Sequence, residues 1–247
     1  MINWVWTDWM ACLGDISPNK TDTELELTQS EDGTQQVITN LQPSKAYQTL
    51  GVWIAADGNQ RKQLSILQTK VNIWLTAIRQ SNLNRLDRQV AYNIFLWPQL
   101  TYPLGCTTIK AQKLKQLFRP VLTVILHSLG LARNFPLAFV HAGVADMGLG
   151  IDDFTCVHGV AQLQLLLGHL NKRDRTGQLL QIERDYIELV VGKGACPLDN
   201  PAVTTLPHFP DTWMTSVCGF LHSVGGSVDT ASQQVIPPQR EQDQYVM

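Results

Sequence analysis

The stretch TLGVWIAADGNQRKQLSILQTKVNIWLTAIRQ, residues 49–80, changes its pattern once, and this change decides the fold. Up to Ala55 it is an extended apolar run, which predicts one strand from Thr49 to Ala55 before the turn Asp57-Gly58-Asn59. From Gln60 onward, apolar residues recur every three or four positions, the spacing of an amphipathic helix. They are Leu64, Leu67, Val71, Trp74, Leu75 and Ile78. The sequence therefore predicts a small sheet that leads into a helical region.

Upstream of this stretch, the sequence predicts a short helix and a hairpin. Residues 3–12 fit a short helix, and residues 24–28 alternate acidic and apolar side chains as a half-buried strand does. Asp32-Gly33 is typical of a tight hairpin turn, and residues 36–41 supply the returning strand. Residues 1–59 are therefore predicted to form a small antiparallel sheet with one helix.

Downstream, a helical pattern continues. A second helix is predicted from Leu86 to Trp97, bent or ended by Pro98 and Pro103, with the side chains of Val90, Ile94 and Phe95 facing inward. A third is predicted over residues 108–129, either continuous or interrupted at Pro120. Gly130 follows it as the expected C-cap.

Past the third helix, a glycine-rich connector over residues 134–153 precedes further helices. We expect these over residues 154–170, 176–191 and 211–221, with Asp152 or Asp153 as a cap of the first and Thr176 as the cap of the second. The predicted class is α+β and mostly α-helical. Its predicted parts are residues 1–59, 60–133, 134–224 and a polar extended tail at 225–247.

The net charge of −2 conceals an uneven distribution. Residues 61–133 contain eleven Lys or Arg and one acid, Asp87, whereas the segments on either side are acidic. Such a basic block fits either solvated helix faces or contact with phosphates. No apolar run is long enough for a membrane span, and no secretory signal is recognisable, so we expect an intracellular protein, cytoplasmic or nuclear, without a membrane partner.

No catalytic or metal-binding motif stands out from the spacing of polar residues. Cys218 and His222 lie four residues apart on a predicted helix, but a structural zinc ion needs four ligands. Asp146, Asp152 and Asp153 are better explained as turn and cap residues than as a two-metal site. We therefore predict no metal and no catalytic residue in this chain.

Several segments together resemble non-LTR retrotransposon reverse transcriptases, in the part that follows their catalytic centre. KAYQTLGV at 45–52, with the turn DGN at 57–59 and the helix containing Trp74, is similar to the end of the palm and the first thumb helix. LTYPL at 100–104, HAG at 141–143, GLG at 148–150 and LLGHL at 166–170 look like later landmarks. The resemblance covers nearly the whole chain.

This resemblance implies the C-terminal part of an RNA-directed DNA polymerase, comprising the end of the palm, a basic helical thumb and a downstream helical region. Its Tyr-x-Asp-Asp hairpin and upstream aspartates, which bind Mg²⁺ in the full polymerase, have no counterpart here. The isolated chain is therefore expected to be inactive and to be part of a longer element. Its expected partners are an RNA–DNA hybrid or RNA template–primer duplex and the missing palm and fingers.

The resemblance also assigns residues to roles. GDISPNK at 14–20 is similar to the motif whose lysine approaches the nucleotide phosphates, which makes Lys20 a nucleotide contact. Leu50 and Gly51 fall at the primer grip. The basic block supplies the expected phosphate contacts of the thumb, namely Lys62, Lys70, Lys110, Lys113 and Arg119. The alternatives are a domesticated helical module that binds proteins, or a non-functional remnant of a retroelement.

Overall fold

The computed structural model describes residues 25–28, 35–38, 43–172, 174–191, 198–199 and 212–228. The chain is mostly α-helical with small antiparallel sheets, and the predicted α+β class is confirmed. It divides into two compact units, residues 1–65 and residues 66–247. The predicted boundaries at residues 59, 133 and 224 stay predictions. No helix of the described residues has the length and hydropathy to cross a bilayer.

Two antiparallel hairpins lie in the first unit. Strand β1, Leu25–Thr28, pairs with β2, Gln35–Ile38, and this confirms the predicted antiparallel pair. Strand β3, Tyr47–Thr49, pairs with β4, Val52–Ile54. The predicted helix at residues 3–12, the turn Asp32-Gly33 and the polar tail from residue 229 lie outside the described residues.

The prediction of a single strand from Thr49 to Ala55 is wrong, because the chain reverses at Leu50 and Gly51. Both residues have a positive φ, 50° and 86°, as the two central residues of a tight hairpin turn require. Glycine adopts this conformation readily, but leucine does not. The continuous apolar run at 49–55 therefore hid the turn. Leu50 lies at its apex, with 86% of its surface exposed.

Helix α1, Arg61–Gln80, confirms the predicted amphipathic helix. It ends at Gln80, and Asn84 then caps α2, Arg85–Ala91, by accepting a hydrogen bond of 2.9 Å from the backbone N–H of Asp87. Leu64 is half-buried, and the remaining predicted apolar positions of α1 are buried. These are Leu67, Val71, Trp74, Leu75 and Ile78.

The inward face predicted for the second helix is wrong. A π-helical turn over Tyr92–Leu96 connects α2 to α3, Trp97–Thr101, and helix therefore continues past Pro98. One extra residue in this turn shifts the angular position of every later side chain. Tyr92, Leu96 and Leu100 are buried as a result, whereas Ile94 and Phe95 are more than half exposed. Val90, the third residue predicted to face inward, precedes the π-helical turn and is also more than half exposed, because α2 has no buried residue.

Helix α4, Ala111–Ser128, continues without interruption through Pro120. Gly130 then has a φ of 75°, which places it in the left-handed region. Its N–H donates to the carbonyl of His127, and the N–H of Leu131 donates to the carbonyl of Leu126. This is a Schellman arrangement, and it confirms Gly130 as the C-cap.

The predicted connector at 134–153 contains α5, Leu137–His141, and a short 3₁₀ turn. Helices α6, Phe154–Lys172, α7, Arg175–Val191, and α8, Trp213–Val224, follow. Helix α6 is central, since it contacts α4, α7 and α8. The buried residues that α6, α7 and α8 share with the loop before α8 are Leu166, Ile187, Leu198, Met214, Val217, Cys218 and Leu221.

Each of these three helices begins at a side-chain cap. Asp153 caps α6 by accepting from the N–H of Thr155 at 2.8 Å, which selects it over Asp152. Asp174 caps α7 by accepting from the N–H of Gly177 at 2.7 Å, so the prediction of Thr176 as the cap is wrong. Thr212 forms a reciprocal capping box with Thr215 at the start of α8.

A buried polar arrangement holds the segment between α3 and α4. The carbonyl of Thr107 accepts from the amide of Gln162 at 2.7 Å and lies 3.0 Å from Nε2 of His158. The carbonyl of Gly105 accepts from the indole N–H of Trp213 at 2.8 Å. We call these contacts the carbonyl clamp. They join α6 and α8 to a segment that is distant along the chain.

Candidate nucleic-acid interface

The hairpin β3–β4 and the first turn of α1 enclose a pocket in the first unit. It has a volume of about 370 Å³ and is open to solvent on one side. We call it the basic–aromatic pocket. Its lining residues are Ser44, Lys45, Ala46, Trp53, Asn59, Arg61 and Lys62.

Local hydrogen bonds fix the start of α1 against the hairpin. Asn59 accepts from the backbone N–H of Arg61 at 2.9 Å, and its own N–H donates to the carboxylate of Asp57 at 2.9 Å. One turn into the helix, the buried side chain of Gln63 accepts from the N–H of Trp53 at 2.9 Å. The turn Asp57-Gly58-Asn59 thus holds both walls of the pocket.

Cations lie over aromatic rings at the pocket and beside it. The ammonium of Lys62 is 5.1 Å from the ring centroid of the half-buried Trp53. The ammonium of Lys45 is 5.6 Å from the ring centroid of Tyr47. Both distances lie within the range of cation–π attraction. With Arg61, these lysines place three exposed positive charges in the pocket lining.

The electrostatics of the basic–aromatic pocket favour an anion. Within the residues that the structure describes, no carboxylate lines the pocket, and no acidic residue occupies the first turn of α1. The N-terminal end of a helix carries a partial positive charge that adds to that of the lysines and the arginine. The half-exposed indole offers an apolar surface next to these charges. Such a pocket can hold a phosphate with a sugar or base beside it.

Of the predicted contacts in residues 1–65, those that the structure describes belong to this hairpin and to the start of α1. Lys62 lines the basic–aromatic pocket, and Leu50 and Gly51 form the apex of the hairpin that carries one of its walls. Lys20 lies outside the described residues. Sequence reasoning did not select Arg61, Trp53 or Lys45 as binding residues. Lys45 lies just before β3, Trp53 lies in β4 and Arg61 is the first residue of α1. The signal that could have identified them is a basic or aromatic residue next to a strand end or a helix start.

The other predicted contacts belong to the second unit. Lys70 is half-buried, and Lys110, Lys113 and Arg119 are exposed at the start of α4 and along it. Lys113 and Arg119 are six residues apart, and at 100° per residue they project about 120° apart around the helix axis. The structure therefore does not bring these two side chains onto one face of α4.

Cys218 and His222, which the sequence offers as a pair of metal ligands, differ in exposure. Cys218 is fully buried in the core between α6 and α8, whereas His222 is exposed. Among the described residues, no three His, Cys, Asp or Glu side chains lie close enough together to hold a metal ion. The Mg²⁺ that the resemblance implies for the full polymerase has no ligands assigned in this chain.

Asp153 acts as a cap, and its charge is balanced locally. Burial raises the pKa of its carboxyl, but the hydrogen bonds from Thr155 and the electrostatic influence of His141 and Lys115 lower it, and the net shift is downward. The arrangement stabilises the start of α6.

The comparisons with protein-family models, curated proteins and solved structures find no significant match to this chain.

Proposed function

We propose that this chain holds a primer–template duplex by its backbone, as the C-terminal part of an RNA-directed DNA polymerase of the non-LTR retrotransposon type. The duplex is an RNA–DNA hybrid or an RNA template with its primer. The basic–aromatic pocket carries the proposal, because it gathers three cations and an indole beside a hairpin. The segment KAYQTLGV, on which the resemblance begins, contributes Lys45 to the pocket and Leu50-Gly51 to the hairpin apex.

The chemistry of the pocket suits a sugar–phosphate backbone rather than a base sequence. Lysine and arginine contact phosphates without reading base edges, and an indole stacks on any base or sugar. The pocket lining has few side chains that both donate and accept hydrogen bonds, as base readout needs. We therefore expect affinity that depends strongly on salt and weakly on sequence.

The test is fluorescence anisotropy of a labelled RNA–DNA hybrid with the purified full chain across a salt series. The double variant R61Q/K62Q removes two pocket charges, and the matched variant K172Q/R175Q removes two exposed charges near the α6–α7 connection. We expect the pocket variant to lower the salt slope by about 1.8, since each phosphate contact accounts for about 0.9 on B-DNA. The matched variant should leave the slope unchanged.

The same salt titration decides whether the second unit contributes to binding of the duplex. Because Lys113 and Arg119 project from different faces of α4, one flat backbone surface cannot engage both. We expect either K113Q or R119Q, but not both, to lower the slope by about 0.9. Equal slopes for wild type and R61Q/K62Q, or no binding at low salt, would contradict the proposed function.

A further inference from the structure

An apolar groove lies in the second unit, between the C-terminal half of α1 and residues 91–99 across the π-helical turn. It has a volume of about 440 Å³ and an open, mostly apolar wall. Ile73 and Phe95 line it with 65% and 62% of their surfaces exposed, and Leu83 lines it with 37% exposed. Exposed apolar side chains that share one concave surface are typical of a binding site for another molecule.

The π-helical turn creates part of this groove. Its extra residue turns Tyr92 and Leu96 inward and leaves Phe95 at the groove wall. π-Helical turns of this kind occur frequently at functional sites. Without the extra residue, the helix would present other side chains at the groove. The exposure of the Phe95 ring is therefore a consequence of the π-helical turn.

The charged side chain that lines the groove is basic. Lys70 lines the groove, and Arg88 is held near Leu83 by a 3.1 Å bond from its Nε to the Leu83 carbonyl. In the described part of the chain, no carboxylate lines the groove, and its other polar side chains, Ser81 and Gln99, are neutral. The groove therefore combines an apolar wall with positive charge.

We propose that this groove binds one amphipathic helix of a partner protein, with acidic side chains beside its apolar stripe. From Lys70 to Ser81 the groove follows α1 for about 17 Å, which accommodates about three helical turns. Apolar anchors of the partner fill the space around Phe95 and Ile73, as in other helix-in-groove complexes. A partner carboxylate beside the apolar stripe complements the positive charge of Lys70. This inference is independent of the proposed binding of a duplex.

The probe is a labelled synthetic helix with leucines at i, i+3, i+4 and i+7 and glutamates beside them. Its counterpart carries lysine at every glutamate position. Anisotropy with the full chain should show binding of the acidic peptide, and binding of the basic peptide should be about tenfold weaker or absent. Equal binding of the two peptides, or binding of neither, overturns the proposal.

Two exposed residues give a matched pair of variants. Phe95 lines the groove and Ile94 does not, and both have 62% of their surface exposed, so F95D and I94D impose similar costs on folding. We expect F95D to weaken binding of the acidic peptide about tenfold or more, and I94D to leave it unchanged. Equal losses from F95D and I94D would overturn the assignment of the groove.

Two further outcomes assign the groove to a different occupant. If the RNA–DNA hybrid displaces the acidic peptide and F95D weakens hybrid binding, the groove is a nucleic-acid surface and the proposal fails. If light scattering shows a dimer that F95D converts to a monomer, the occupant is a second copy of this chain, which equally overturns it. The salt slope of R61Q/K62Q reports on the proposed duplex binding separately.

Discussion

Leu50 has a left-handed backbone conformation and an almost fully exposed apolar side chain, and neither favours leucine. Asparagine at this position next to glycine is the preferred sequence for a two-residue hairpin turn. Leucine at the apex therefore costs stability, while Gly51 suits its own position. Leu50 does not line the basic–aromatic pocket, so its role as a primer-grip contact stays a prediction.

Substitutions at the two turn residues should have opposite effects. We expect L50N to stabilise the hairpin by about 0.5–1 kcal/mol, and G51A to destabilise it by about 1–2 kcal/mol because alanine is strained at positive φ. Hydrogen exchange of the β3 and β4 backbone amides measures this locally. Unchanged protection in G51A would show that the turn does not require a glycine conformation.

His158 makes the stability of the fold depend on pH. Burial lowers its pKa below the ordinary value of 6.5, and the hydrogen bond to the Thr107 carbonyl offsets this in part. The folded protein therefore binds a proton less readily than the unfolded chain. The free energy of unfolding should be constant at pH values above the pKa of this histidine in the unfolded chain, about 6.5. It should fall as the pH decreases from there and should level off below the pKa of His158 in the folded protein.

Chemical denaturation at several pH values between 7.5 and 5 checks this expectation. H158Q retains a donor near the Thr107 carbonyl but does not titrate, so its stability should change less over this interval. H127Q removes an exposed histidine at the end of α4 and serves as the control. A slope in H158Q equal to that of the wild type would exclude His158 as the cause.

At the scale of elements, the helices with a regular apolar stripe could be predicted from the sequence. Helices α1 and α4 have nearly the predicted bounds, because buried apolar side chains at three- and four-residue spacing leave a clear pattern. Helix α6 also has nearly the predicted bounds, but its buried face contains His158 and Gln162, which an apolar pattern does not reveal. The buried face after α2 could not be predicted, since one extra residue in the π-helical turn over Tyr92–Leu96 shifts the pattern of the residues that follow. The turn at Leu50 was missed because leucine carries no turn signal.

The contact between α6 and α8 depends on the absence of a side chain at Gly159. A Cβ at this position would lie 2.1 Å from the ring of Phe220, too close for any packing. We expect G159A to destabilise the protein by about 1–3 kcal/mol through overpacking. G168A, on the same helix with no atom within 4 Å of its Cβ position, should instead stabilise it by about 0.5–1 kcal/mol.

Urea denaturation of both variants distinguishes helix propensity from packing. The substitution F220A removes the obstructing ring, so adding G159A to it should cost little or nothing. A cost of G159A that persists in the F220A background would show that the close approach is not the cause.

At the scale of the whole molecule, the uneven distribution of charge could be read from the sequence, but the grouping of the basic side chains in space could not. The basic block of residues 61–133 is evident in the composition, and Lys62 indeed lines the basic–aromatic pocket. The grouping of Lys45 and Arg61 with Trp53 could not be predicted, because it depends on the reversal of the chain at Leu50. The second unit distributes its predicted contacts over more than one helix face.

The purified chain should not extend a primer on an RNA template in Mg²⁺ or Mn²⁺. The sequence has no Tyr-x-Asp-Asp motif, and Asp153 of the doublet Asp152-Asp153 is engaged as the cap of α6. Incorporation of labelled nucleotide is the measurement, with an active reverse transcriptase as the positive control. Template-dependent incorporation that survives the double variant D152N/D153N would show catalytic groups that these carboxylates do not explain.

The carbonyl clamp has a consequence for synthesis on the ribosome. The hydrogen bond from Trp213 to the Gly105 carbonyl joins residues 108 positions apart. At about 5–20 residues per second, translation needs roughly 5–20 s to add the residues between them. During this interval, water must solvate the Gly105 carbonyl, and the face of α6 that later receives α8 stays uncovered. The nascent chain is therefore expected to expose a chaperone-binding surface until α8 leaves the exit tunnel.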